Sequence, residues 1–132
     1  MKNEVEFKHM VRKNWLPDYW SQCLELKSED GFPDVMFLNP ETSHVTLVEF
    51  KYIREIKGSD FKIKWRHAQP PFAIEYSQAG GSIGIMLWCS GSAFWLTVEP
   101  TRLWLQAVTN WLPMDHRLLH PVDRKNIREF IQ

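Results

Sequence analysis

The sequence predicts an α/β domain in which a mixed sheet is flanked by helices, and three observations carry that expectation. Apolar residues recur at helical spacing near the N-terminus, strand-like runs fill residues 19–50, and a helix opened by prolines and closed by glycines separates these from two further apolar runs. The resulting order is helix, three strands, helix, two strands, helix, which suits a sheet with helices packed against it. A chain of 132 residues, 44% hydrophobic and 14% aromatic, suits one domain, with its core at about 3–99 and a helical extension at about 100–132.

The first helix is expected from Asn3 to about Trp15, where Val5, Phe7, Met10 and Val11 are interleaved with charged residues and Pro17 ends the pattern. Tyr19 to Lys27 alternates as a strand does, and Ser28-Glu29-Asp30-Gly31 reads as a turn. Asp34–Leu38 and His44–Phe50 make a hairpin around a loop that starts Asn39-Pro40. Residues from Tyr52 to Arg66, which include Lys57-Gly58-Ser59-Asp60, read as an exposed loop or ragged extension.

A helix is expected from Gln69 to Ala79, because Pro70 and Pro71 fall in its first turn and Gly80-Gly81 stops it. Ser82–Cys89 and Ala93–Glu99 are strand-like runs around a Ser90-Gly91-Ser92 turn. Leu103, Trp104, Ala107, Val108 and Trp111 give an apolar face to a helix from about Thr101 to Leu112, and Asp123 caps a last short helix that runs to Ile131.

Composition excludes several classes of function. Lys+Arg and Asp+Glu both number 16, so no overall basic field is available to hold nucleic acid. A local one is: residues 51–66 carry six basic side chains against two acidic ones, a net excess of +4. The two cysteines, Cys23 and Cys89, are too few and too far apart in sequence for a disulfide framework or a CxxC zinc site. No signal-like or membrane-spanning apolar run is present, so a soluble cytoplasmic protein with no membrane partner is expected. The tryptophan-rich segments around Trp88, Trp95, Trp104 and Trp111 read as core or as a dimer surface, which leaves a homodimer open.

The hairpin carries the chemistry. Alternate residues of a strand share a face, so Glu49 and Lys51 project together, and an antiparallel register closing near Asn39–Ser43 sets Asp34 across from about Val48 to Phe50. Asp34 and Glu49 then become neighbours among apolar residues, where like charges repel. Protonation of one carboxyl would relieve the repulsion, and a hard divalent cation would relieve it while leaving both ionised. Magnesium suits two carboxylates with the remaining ligands drawn from water and a phosphate. Lys51 beside them can hold an attacking water, stabilise charge on a phosphoryl oxygen, or act as a base.

Pro33-Asp34 followed by Glu49-Phe50-Lys51 resembles the PD-(D/E)xK signature of the restriction-endonuclease-like nuclease superfamily. The element order is similar to its αβββαβ core, with C-terminal helices added. Gly31-Phe32-Pro33-Asp34, Glu49-Phe50-Lys51 and Gln69 look most like the small stand-alone members: archaeal-type Holliday junction resolvases, VRR-NUC and phage-type nucleases. The resemblance covers about residues 1–90. It implies that Asp34 and Glu49 bind magnesium or manganese, that Lys51 positions or activates water, and that Gln69 supports the site from the next helix. It further implies an acid from the first helix, for which Glu4 and Glu6 are candidates and Glu6 is preferred. Pro70-Pro71 directly after Gln69 departs from the pattern.

The expected activity is therefore magnesium-dependent endonucleolytic hydrolysis of DNA phosphodiester bonds, selective for branched DNA or ends, with Lys57, Lys62, Lys64 and Arg66 on the phosphate backbone and Trp65 or Phe61 stacking on a base. Glu25 is a further acid for the same face. A catalytically silent domain of the same fold, binding DNA or a protein, is the second reading.

Overall fold

Asn3 opens the first helix with its side chain, which accepts the Glu6 N–H at 2.9 Å and so satisfies one of the free donors of the first turn. The computed structural model describes residues 2–24, 31–101, 103–104, 111–113 and 119–132. Helix α1 (Glu4–Met10) runs into one π-helical turn, Val11–Trp15, which closes with Leu16 N–H donating to the Val11 carbonyl at 2.9 Å. Pro17 follows, as the sequence leads one to expect.

Nine strands are found among the described residues: β1 (Trp20–Cys23), β2 (Val35–Leu38), β3 (Val45–Tyr52), β4 (Ile56–Lys57), β5 (Asp60–Lys62), β6 (Ser82–Cys89), β7 (Ser92–Thr97), β8 (Trp111–Pro113) and β9 (Leu119–Val122). Helix α2 spans Gln69–Gln78. The main sheet has the order β1-β2-β3-β6-β7-β9, and β4-β5-β8 make a small second sheet. Strands β3 and β6 pair in parallel, while every other neighbouring pair of the main sheet is antiparallel. A parallel pair needs a long crossover, and the segment holding β4, β5 and α2 supplies it. The fold is thus a mixed α/β arrangement with helices against a mixed sheet.

Both faces of the sheet are covered. Alternation along β3 sends Val48 and Phe50 into a cluster with Phe7 and Val11 of the N-terminal helix and with Ile127 and Ile131 of the C-terminal tail. Phe7 is fully buried and meets the Phe50 ring edge-on at 5.1 Å, with Trp88 at 5.6 Å. The other face of the sheet packs Ile85, Leu87 and Leu96 against Phe61, Ile63 and Ala73 of the crossover. Glu49 and Lys51 share that second face, in register with Ile85 and Leu87 across the parallel pair. Two charged groups are thereby set into apolar surroundings.

Several elements differ from expectation. The expected loop after β3 is a tight β4–β5 hairpin, with Gly58 at φ +62 in its turn. Phe61, expected to stack on a base, is instead fully buried and anchors this hairpin to the core. Strand β1 is shorter than Tyr19–Lys27, whose last three residues lie outside the described ones, as do Ser28–Asp30 of the expected turn. Of the helix expected at Thr101–Leu112, residues 100, 101, 103 and 104 are helical, while 102 and 105–110 lie outside the described residues. Trp111 and Leu112 belong to β8, where Pro113 is tolerated because β8 is an edge strand.

The helical extension is also corrected at its end. Leu119–Val122 adds a strand beside β7, and the last helix shrinks to one 3-10 turn, Ile127–Glu129. Asp123 does cap, but it caps a turn: its Oδ1 accepts the Lys125 and Asn126 N–H groups, and Asn126 Oδ1 accepts the Asp123 N–H. Trp95 is core, whereas Trp104 is 59% exposed, so the tryptophans do not share one role. Among the described residues, no helix is long and apolar enough to cross a membrane.

Since Phe7 joins α1 to the sheet, Phe7→Ala should lower the unfolding free energy in urea by about 3–5 kcal/mol. Loss of less than ~1 kcal/mol would show that α1 does not depend on this contact.

Candidate active site

Strands β2 and β3 are paired from Leu38↔Val45 to Val35↔Val48, so the next step of the register sets Asp34 against Glu49. The strands part there. The Asp34 carbonyl turns to β1 and accepts the Leu24 N–H at 2.8 Å, while its side-chain Oδ2 accepts the Phe50 N–H of β3 at 2.9 Å. A carboxylate thus replaces the backbone acceptor that β2 no longer offers. Asp34 is fixed at the fork, and its carboxyl and that of Glu49 share a hydrogen bond.

Lys51 lies two residues along β3 from Glu49, on the same face, with Nζ 4.0 Å from Glu49 Oε1. It is 8% exposed and donates to the Lys64 carbonyl at 2.7 Å and to Gln69 Oε1 at 2.8 Å. Its ammonium also lies 5.3 Å from the centre of the Trp65 ring. Two hydrogen bonds leave one N–H of the ammonium for a group in the cleft.

Gln69 is 3% exposed, and its Oε1 also accepts the Arg66 N–H at 2.9 Å. Pro70 and Pro71 sit within the first turn of α2, where a missing N–H leaves no hydrogen bond broken. They therefore do not displace Gln69. Gly31 fixes the other side of this corner: it has φ +70, and a Cβ there would stand 2.1 Å from the Ala68 carbonyl oxygen. Only glycine lets the segment before Asp34 lie against the start of α2. Phe32 extends the contact, with its ring 4.8 Å from that of Phe72.

Asp34, Glu49 and Lys51 line one cleft of about 690 Å³, together with Glu4, Lys8, Tyr52, Arg54, Glu55, Lys62, Lys64 and Arg66. Arg66 Nη2 lies 3.7 Å from Asp34 Oδ1 and 4.0 Å from Glu49 Oε1, and Lys8 Nζ lies 4.0 Å from Asp34 Oδ1. Lys62 and Lys64 both pair with Glu55, at 3.8 and 3.7 Å. The expected backbone-binding residues Lys62, Lys64 and Arg66 reach the cleft. Lys57, in the exposed strand β4, is not among its lining residues.

Of the two acids of the first helix, Glu4 is the one that lines the cleft. Glu6 is exposed, accepts the Lys2 N–H at 2.7 Å and borders a different surface hollow with His9 and Asn14, so the structure does not bring it to Asp34 and Glu49. Glu4 precedes Phe7 by three residues and Val11 by seven, and so lies on the face that α1 turns to the sheet. Its carboxyl accepts a hydrogen bond from the Tyr52 backbone at the end of β3. That spacing was the available signal. Glu25 lies outside the described residues, His67 is exposed, and His44 Nε2 pairs with Ser82 Oγ at 2.8 Å away from the cleft.

Burial dominates the titration of the site. Glu49 is pushed up to about 9, chiefly by desolvation and then by the hydrogen bond and charge of Asp34, against the opposing pull of Lys51 and Arg66. Lys51 is lowered by desolvation, despite the charges of Glu49, Glu4 and Asp34. Glu4 is raised, again mainly by burial. Glu49 therefore favours its protonated form at neutral pH when no cation is bound.

Among the described residues, no three His, Cys, Asp or Glu side chains form a metal-binding group. The oxygen donors at hand are the Asp34–Glu49 pair, with Glu4 across the cleft. Hard carboxylate oxygens, paired closely enough to share a proton, fit a small cation that takes few protein ligands.

Two outcomes follow from this geometry. Gly31→Ala should destabilise the fold by about 1–3 kcal/mol through positive φ and the clash with Ala68, as thermal or urea unfolding would measure. The folded chain holds the Glu49 proton to about 9 while an ordinary carboxyl releases it near 4.5, so protein in EDTA should lose stability as pH rises through that window. Glu49→Gln should flatten this fall in the melting temperature. A wild-type profile that rises with pH between these values would contradict the assignment.

Comparison with models of known protein families gave no match, and comparison with curated proteins gave none either.

Proposed function

We propose that the cleft is the active site of a magnesium- or manganese-dependent nuclease that hydrolyses phosphodiester bonds in DNA. The observation that carries this reading is the meeting of Asp34, Glu49 and Lys51, with Gln69 behind Lys51, at the floor of one basic-rimmed cleft. The parallel β3–β6 pair joined by a crossover through α2 supports the resemblance to the restriction-endonuclease-like core.

Asp34 and Glu49 would hold the cation, and Glu4 faces them from α1. Bound there, it supplies Lewis-acid stabilisation of the charge that builds on the phosphoryl oxygens. The protein's own groups do the rest. Lys62, Lys64 and Arg66 receive the phosphate backbone, and Arg66 lies nearest the acidic pair. Lys51, held in place by Gln69 and the Lys64 carbonyl, directs its remaining N–H to the attacking water or a phosphoryl oxygen. Its pKa is lowered by burial, which favours the free amine, and in that form Lys51 instead accepts a proton from the water as it attacks phosphorus and the P–O bond to the leaving group breaks.

Incubation with linear duplex, single-stranded and branched DNA tests this reading. Cleavage is expected in magnesium or manganese and not in EDTA, and Asp34→Ala and Lys51→Ala should each reduce its rate by about 100-fold or more. Cleavage that survives EDTA, or that persists in Asp34→Ala, would sink the mechanism. If no substrate is cut, a silent DNA- or protein-binding domain replaces it.

A further inference from the structure

Arg66 is held and released in different parts. Its backbone N–H is fixed by the buried Gln69 Oε1 at 2.9 Å, yet its side chain is 45% exposed and reaches back over the cleft floor. There the guanidinium lies 3.7 Å from Asp34 Oδ1 and 4.0 Å from Glu49 Oε1. Both separations are within ion-pair range and too long for hydrogen bonds, so charge holds the group and no bidentate fork locks it. Lys51 reaches Glu49 but is anchored by two hydrogen bonds, and Lys8 reaches Asp34 alone. Among the described residues, Arg66 is the one cation within 4.0 Å of both carboxylates.

We propose that Arg66 is a displaceable counter-ion: it neutralises Asp34 and Glu49 while no divalent cation is bound, yields them when one binds, and then offers its guanidinium to a phosphate of the nucleic acid. The inference rests on the nuclease reading of the cleft and adds a regulatory link between metal loading and substrate grip.

The sign follows from charge. Without a metal the carboxyl pair carries −1 or −2, according to whether it keeps a proton; with a divalent cation on two carboxylates the cluster is neutral. In either case the positive guanidinium is attracted more strongly to the metal-free pair, so its presence opposes metal binding. Once the pair is neutralised, the most negative group within reach of Arg66 is a bound phosphate. Metal and nucleic acid then favour one another through the same side chain, and such coupling is reciprocal.

Isothermal titration of Mn²⁺ into the wild type, Arg66→Ala, Arg66→Gln and Arg66→Lys, without nucleic acid, tests the first half. Removing the charge should tighten Mn²⁺ binding by about 5-fold or more, whereas Arg66→Lys, which keeps the charge, should stay within about 2-fold of wild type. Arg66→Gln guards against an alanine variant that fails to fold. The second half is read by anisotropy with a phosphorothioate oligonucleotide. Arg66→Ala should weaken binding more in Mn²⁺ than in EDTA.

Unchanged or weaker Mn²⁺ affinity in both uncharged variants would overturn the inference and leave the nuclease reading standing. Equal loss of oligonucleotide affinity in Mn²⁺ and EDTA would overturn the link to substrate. Failure of all four proteins to bind Mn²⁺ would overturn both this inference and the metal-dependent mechanism.

Discussion

Asp34 and Glu49 face one another where β2 and β3 part, and the repulsion between two carboxyl groups in apolar surroundings shapes everything near them. Ile85 and Leu87 on the neighbouring strand remove the water that would otherwise screen the pair. Lys51 and Arg66 bring positive charge, but burial outweighs it, and Glu49 holds its proton to about 9. We propose that such a site takes up a cation. A buried acidic pair left alone lowers stability, a cost that the proposed chemistry would explain.

The fold around the pair works mainly to hold it open and fixed. Asp34 is tied to the Phe50 N–H, so it cannot turn away from Glu49. Gly31 lets the preceding segment lie against Ala68, which brings the start of α2 beneath the fork. Gln69 then joins Lys51 to the backbone of Arg66 through a single oxygen. On the opposite face, Phe7 seats α1 on Phe50, and the same helix carries Glu4 to the end of β3. Each support comes from a different stretch of chain, yet all converge on two residues of β3.

Much of this was legible in the sequence because strands impose a period of two. The alternation in Val45–Tyr52 and the turn at Asn39–Ser43 gave the face shared by Glu49 and Lys51 and the register opposite Asp34, which the Val35↔Val48 pairing reproduces. The two prolines and two glycines delimited α2 for equally local reasons. Glu4, and not the preferred Glu6, lines the cleft because a helix places residues two apart on different sides, and counting back from Phe7 and Val11 selects Glu4. Strands β4, β5 and β9 were harder to see. They are short, rich in charge or proline, and stabilised by partners far along the chain, so their local pattern is weak. Lys57 is expected on the phosphate backbone by charge alone, and the hairpin leaves it outside the lining of the cleft.

We propose that a divalent cation replaces the proton held by the buried carboxyl pair. Calorimetric titration of magnesium at pH 7.5 in buffers of different ionisation enthalpy measures the protons released on binding. The account predicts release of about one proton per site in the wild type, given Glu49 at about 9, and almost none in Glu49→Gln. Magnesium binding with no proton release in the wild type, or the same release from Glu49→Gln, would contradict it.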